Sequence, residues 1–129
     1  MSEADADRLS VLHRFVRSQV EAQHLAALEE KIAEAEVLEP EQMPHNVVTM
    51  NSQVRVTDIR TGVTAVYTLV FPSSADARKN RVSVLGALGT ALLGSRVGDV
   101  VCYHSSAGEE CRRIDEIIYQ PEAAGDIYG

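Results

Sequence analysis

Residues 5–39 contain neither glycine nor proline and are rich in Ala, Leu, Glu, Gln and Arg, so the segment is committed to helix. Two apolar stripes run through it: Leu9, Leu12 and Val16, then Leu25, Leu28, Ile32 and Ala35. Each steps by three or four residues, as one helix face does. The stripes are out of phase. From Leu9 to Leu25 a helix turning about 100° per residue rotates by roughly 160° modulo a full turn, which sets the two stripes on nearly opposite faces. A break in the segment Ser18 to His24 resolves the conflict and predicts a short antiparallel helical hairpin whose stripes bury each other. A single kinked helix is the alternative, because no Gly or Pro marks the turn. Arms this short are marginal in water on their own, so the hairpin is expected to lean on the rest of the protein or on a partner. Left uncovered, its stripe would also support self-association.

At Pro40 and Pro44 the pattern changes, since each proline restricts its predecessor to extended geometry. This divides the chain into a helical segment, 1–39, and a second domain, 40–129. Val54 and Val56 alternate with polar neighbours, Thr61-Gly62 supplies a turn, and Val63, Ala65, Tyr67, Leu69 and Phe71 continue at period two up to Pro72. After a polar loop, Ser73 to Asn80, Val82 to Leu85 reads as a short strand. Gly86 to Gly94 reads as a small-residue helix of about two turns, its glycines allowing close approach and Gly94 stopping it. Val97-Gly98-Asp99 turns the chain into a strand, Val100 to His104, and a turn at Gly108 returns it through Cys111 to Tyr119. The tail from Gln120 is read as too short to form another element. The connections suit antiparallel pairing, so the predicted class is α+β: an antiparallel sheet curled round a short helix.

The chemistry is sparse. A net charge of −7 argues against direct nucleic-acid binding, which needs a concentrated basic surface. The basic groups Arg78-Lys79-Asn80-Arg81 and Arg112-Arg113 read as solvated faces. No apolar run reaches the ~20 residues needed to span a bilayer, and the acidic start, Met1 to Asp7, is no secretory signal. The expected compartment is therefore the reducing cytoplasm, and Cys102 and Cys111, although able to face each other across a hairpin, are read as free thiols. His13, His24, His45 and His104 lie on separate elements without metal-ligand spacing and read as ordinary surface or edge residues. The glycines at 86, 89 and 94 lack a following Lys-Ser/Thr and serve packing better than phosphate binding. No catalytic residue, cofactor or metal is indicated.

Three segments in order carry a resemblance. Pro44-His-Asn-Val-Val-Thr-Met-Asn-Ser-Gln-Val54 and Tyr119-Gln-Pro-Glu-Ala-Ala-Gly-Asp126 resemble the Rnk family, the regulators of nucleoside diphosphate kinase. Val82-Ser-Val-Leu85, Leu88-Gly-Thr-Ala-Leu-Leu-Gly94 and Val97-Gly-Asp99 are similar to the segment that Rnk proteins share with the Gre transcript-cleavage factors. The likeness covers residues 40 to 126. It implies an FKBP-like antiparallel C-terminal domain that docks on RNA polymerase near its secondary channel, and a helical hairpin standing for a shortened Gre coiled coil. It also implies a contact surface on the short helix and its flanking turn, for which Ser83, Leu85, Leu88, Leu92 and Asp99 are the candidates. Leu88 and Leu92 read more readily as core than as contact residues.

The Gre coiled coil carries paired acidic residues at its tip that help hold a catalytic metal. Here each arm is about fifteen residues, about 20 Å long, and the predicted tip offers Glu21 as its one carboxylate. Binding a catalytic Mg²⁺ wants more than one carboxylate presented together with substrate phosphates, so stimulated cleavage is not expected. Gly86-Ala87 also stands where the family commonly has a proline before the short helix. The reading is a non-enzymatic transcription regulator that competes with Gre factors and affects the kinase through transcription. The alternatives are direct control of nucleoside diphosphate kinase and an FKBP-like prolyl isomerase, the latter disfavoured because Phe15 and Phe71 are the only Phe and Trp is lacking.

Overall fold

The computed structural model describes residues 1–34 and 37–125. Ala35 of the second stripe and Asp126 of the tail motif lie outside them.

The N-terminal segment is helical, but it is broken earlier than the stripes suggest. Helix α1 (Glu3–Leu9) starts at Ser2, whose Oγ accepts the Asp5 N–H, and stops at Ser10. A 3-10 turn, Leu12–Phe15, follows, and helix α2 (Gln19–Glu34) then runs unbroken. The predicted break, Ser18 to His24, is instead the start of α2. Ser18 Oγ accepts the Glu21 N–H (3.1 Å), and the Glu21 carboxylate reaches back to the Arg17 N–H (2.8 Å). This is a variant of the capping box whose return bond reaches the residue before the N-cap, and it fixes a helix start without Gly or Pro. The stripes do not pack on each other alone. Leu9, Leu12 and Leu28, at 2%, 1% and 0% exposed, join one core with residues of the sheet, and Val16, Leu25 and Ile32 pack against it. A phase difference between two stripes is equally satisfied when both turn towards a third surface.

Five strands form one sheet: β1 (Gln53–Asp58), β2 (Thr64–Val70), β3 (Arg81–Ser83), β4 (Val100–Ser105) and β5 (Gly108–Tyr119), in the order β3-β2-β1-β5-β4. Strand β1 is central, antiparallel to both β2 and β5, and its Val54 and Val56 point into the core as the period-two pattern requires. Register shifts between β1 and β5 at Gln53/Val54 and Arg55/Val56 bend the long β5, which also pairs with β4 through its first half. The sheet is not wholly antiparallel. Strand β3 runs parallel to β2, Leu69 opposite Val82. The connection from 71 to 80 is not a simple return: two 3-10 turns, Pro72–Ser74 and Ala77–Lys79, and Asn80 at φ 53° carry the chain round to run beside β2 in its own direction.

Helix α3 (Ala87–Leu92) lies where the small-residue helix is expected, with Leu92 at 0% exposed. The tail does form an element, the single turn α4 (Pro121–Ala124), started by proline and ended by Gly125 at φ 81°. It is tied down by Gln120, whose side-chain amide donates to the carbonyls of Pro44 and Val47, and by Glu122, which accepts the Thr49 hydroxyl at 2.6 Å. The free-thiol reading of the cysteines does not hold: Cys102 and Cys111 stand opposite each other across β4 and β5 and are joined as a disulfide. Composition argued for a compartment, whereas register put the two sulfurs in contact.

Candidate interaction surface

The most tightly specified local structure is the turn from β3 into α3. The Val84 N–H donates to Val70 and the Gly86 N–H to Ser83, while Ser83 Oγ accepts the Leu85 N–H at 3.1 Å. Thr90 closes the turn from the helix side by donating its hydroxyl to the Val84 carbonyl at 2.7 Å. Gly89 makes the approach possible, because a Cβ there would lie 1.9 Å from the Ser83 carbonyl oxygen. At the other end of α3, Gly94 (φ 80°) donates to the Val48 carbonyl. Asp99 then organises the next turn by accepting the Arg96 N–H at 2.9 Å, and its own carbonyl accepts the Ile114 N–H of β5.

This geometry sorts the five contact candidates. Leu85 and Leu92 are 0% exposed and form core, so they have no surface to offer a partner. Leu88 is half-buried against the same core. Ser83 is half-buried and Asp99 exposed, and both cap turns. The Gly89 approach brings the Ser83 backbone against α3, which carries Leu88 and Leu92, whereas Asp99 is held to β5. Glu21, assigned to a hairpin tip, sits in the first turn of α2 with its carboxylate used in capping.

Two residues on α2 matter more than their sequence suggested. His24, read as an ordinary surface residue, places Nδ1 2.6 Å from the Leu85 carbonyl, to which it donates when that nitrogen carries the proton. Lys31 donates to the carbonyls of Thr90 (2.6 Å) and Leu93 (3.0 Å), covering the C-terminal end of α3, where carbonyls lack helical partners. Burial holds the Lys31 ammonium below the usual lysine range. His24, Leu28 and Lys31 follow one another at spacings of four and three, so a common face was readable. Being polar, the two flanking residues were not counted in the stripe. Between α2, α3 and β4 lies an open cavity of about 600 Å³, walled by His24, Lys31, Thr90, Val101, Tyr103 and His104. Phe15 and Phe71 line a separate cavity of about 130 Å³, smaller than the roughly 300 Å³ at which ligand pockets begin.

Sequence and fold together define the class. Residues 43–119 match the family model described as Transcription elongation factor, GreA/GreB, C-term, and the chain belongs to that family. Within it the chain stands with the regulators of nucleoside diphosphate kinase. It is 42% identical to the Regulator of nucleoside diphosphate kinase of Escherichia coli (strain K12) over 101 residues, 78% of this chain and 74% of that protein. The Transcription elongation factor GreA of Helicobacter hepaticus is 34% identical over 89 residues, covering 69% of this chain and 55% of that protein. Among solved structures, a prokaryotic transcription elongation factor GreA/GreB from Nitrosomonas europaea superimposes with a TM-score of 0.77 at 35% identity, covering 92% of this chain and 96% of that one.

Proposed function

We propose that this chain is a non-enzymatic regulator of transcription that docks on bacterial RNA polymerase near the secondary channel and competes there with Gre factors. On this reading residues 40–129 are an FKBP-like docking domain and 1–39 a helical segment standing in place of the Gre coiled coil. The observation that carries it is the placement of α2. The domain has the Gre C-terminal pattern from 43 to 119, while α2 is anchored along α3 by His24, Leu28 and Lys31 and Glu21 is engaged in its cap. Such a chain can occupy a Gre docking site without offering a carboxylate pair at a tip. An acidic protein of net charge −7 suits a basic patch on a larger partner. Among the described residues no helix is long and apolar enough to cross a membrane.

With Leu85 and Leu92 interior, the contact surface contracts to Ser83, the outer side of Leu88 and Asp99. The test is binding to polymerase core enzyme with an unlabelled Gre factor as competitor. Saturable binding that the competitor displaces is expected, and no binding at micromolar concentrations would sink the assignment. A Ser83→Arg/Asp99→Asn chain that keeps its circular dichroism and also its full affinity would show that the surface lies elsewhere. Assaying nucleoside diphosphate kinase with and without the chain separates an effect through transcription, which leaves turnover unchanged, from direct control.

A further inference from the structure

The β4–β5 hairpin carries a group of side chains that docking leaves unused. Cys102 and Cys111 stand directly opposite each other with Cα atoms 4.1 Å apart. One step nearer the turn the same face carries His104 opposite Glu109, because side chains two apart on a strand share a face. A Glu109 carboxylate oxygen lies 3.9 Å from the Cys111 sulfur, and one donor atom from each of Cys102, Glu109 and Cys111 falls within 4.8 Å of the others. Cys102, His104 and Glu109 are exposed and Cys111 is half-buried, so the group is open to solvent.

Thiolate, imidazole and carboxylate are the donors that Zn²⁺ takes, at about 2.3 Å for sulfur and about 2.0–2.2 Å for nitrogen and oxygen in a tetrahedron. Donors at those distances from one centre lie about 3.3–3.8 Å apart by tetrahedral geometry. Donor atoms of Cys102, Glu109 and Cys111 already lie within 4.8 Å of one another, and His104 shares their face by register, so side-chain rotation is the main movement that a metal requires. A structural disulfide needs only two of these four residues.

We propose that the reduced hairpin binds one zinc-type divalent cation through Cys102, Cys111 and Glu109, with His104 as fourth ligand, and that the disulfide is the metal-free alternative of the same site. The two states interconvert by a balanced step. A dithiol reductant delivers two electrons and two protons to the Cys102–Cys111 bond, leaving two thiols and its own disulfide. The cation then displaces both thiol protons to solvent as two metal–sulfur bonds form. A reducing compartment favours the metal-binding state and an oxidising one the disulfide.

The test uses the full chain, reduced with a dithiol and freed of it under anaerobic conditions. Zn²⁺ is titrated against a chromophoric chelator, and Co²⁺ serves as the spectroscopic probe. One equivalent should bind with release of about two protons, and the cobalt form should show a thiolate charge-transfer band. Glu109→Gln and His104→Gln, which leave the disulfide able to form as a check on the fold, should each weaken binding by at least about tenfold, the lower end of what even outer partners of a metal site cost. Cys102→Ser should abolish the charge-transfer band pattern of two thiolates, and the oxidised chain should bind nothing. Failure of the reduced chain to bind, equal binding by the oxidised chain, or undiminished affinity in either the Glu109 or the His104 variant overturns the site.

Discussion

Single residues set limits here that no neighbour can relax. Gly89 is the clearest: a methyl group at its Cα would meet the Ser83 carbonyl oxygen at 1.9 Å, its carbon at 2.7 Å and Val84 Cα at 3.0 Å, all of them backbone. Gly89→Ala is therefore expected to cost about 3 kcal/mol, the upper end of ordinary overpacking, read as a lowered urea midpoint. Asp5 is unfavourable in its charged form. It is 8% exposed, its Oδ2 has no hydrogen-bond partner among the described residues, and burial, reinforced by Glu122, raises its pKa from 3.8 to about 6. The folded chain thus holds the proton more tightly than the unfolded one. Stability from this group is fully present below about pH 4, falls as pH rises towards 6, and is flat above that. Asp5→Asn should remove that slope and raise stability at pH 7 by up to about 3 kcal/mol, the value of a shift from 3.8 to about 6. Denaturant titrations at pH 4 and pH 7 check both statements, and an unchanged slope would count against them. The role of Gly89 was legible, because three glycines around a short apolar run ask for close packing. That of Asp5 was not, because its burial arises from α1 meeting the 49–52 turn and α4, parts far apart in sequence.

At the scale of elements, periodicity told which faces are apolar but not what covers them. The stripes of residues 9–16 and 25–32 were correctly read as buried faces, and both join one core that also holds residues of the sheet and α3. The start of α2 was missed because its signal is a serine followed three residues later by a glutamate, which lies inside the predicted break. The parallel pairing of β2 with β3 was missed for a related reason: strand patterns carry no direction, and 3-10 turns in the 71–80 connection leave little periodic trace. The way α2 is held suggests a specific experiment. It is attached by one fully buried leucine, Leu28, and by His24 and Lys31 reaching carbonyls of the 85–93 segment. Removing both polar anchors with His24→Ala/Lys31→Ala should raise hydrogen exchange in α2 by at least about tenfold, since each net hydrogen bond contributes about 1 kcal/mol, while β1 and β5 stay protected. Equal acceleration in the sheet would show that α2 and the sheet open only together. Leu28→Ala should cost about 3 kcal/mol, measured by thermal or urea unfolding, because its site is enclosed.

For the whole molecule the decisive matter is reach. The resemblance to the Gre factors implies that docking and catalysis are separated in space, with a C-terminal domain holding the polymerase and a coiled coil delivering acidic residues to its active site. Here α2 has 16 residues, about 24 Å of helix, and from His24 onward it lies against its own domain. The nearest equivalent of a tip acid, Glu21, closes the start of that helix. If the docking reading is right, a stalled elongation complex should keep its transcript intact when this chain is added alone. The same chain added with a Gre factor should slow the factor's cleavage, and raising the factor's concentration should restore the original rate, as competition for one site requires. Slowing that no excess of Gre factor relieves would place the chain at a different site on the polymerase. Transcript cleavage by the chain alone would mean that a carboxylate reaches the active centre after all, which α2 allows only by leaving α3. In that case the His24→Ala/Lys31→Ala chain, with its helix already loosened, should cut faster than the parent. If the helix stays down, the same substitutions should leave the transcript uncut, since no carboxylate is then freed to reach the active centre.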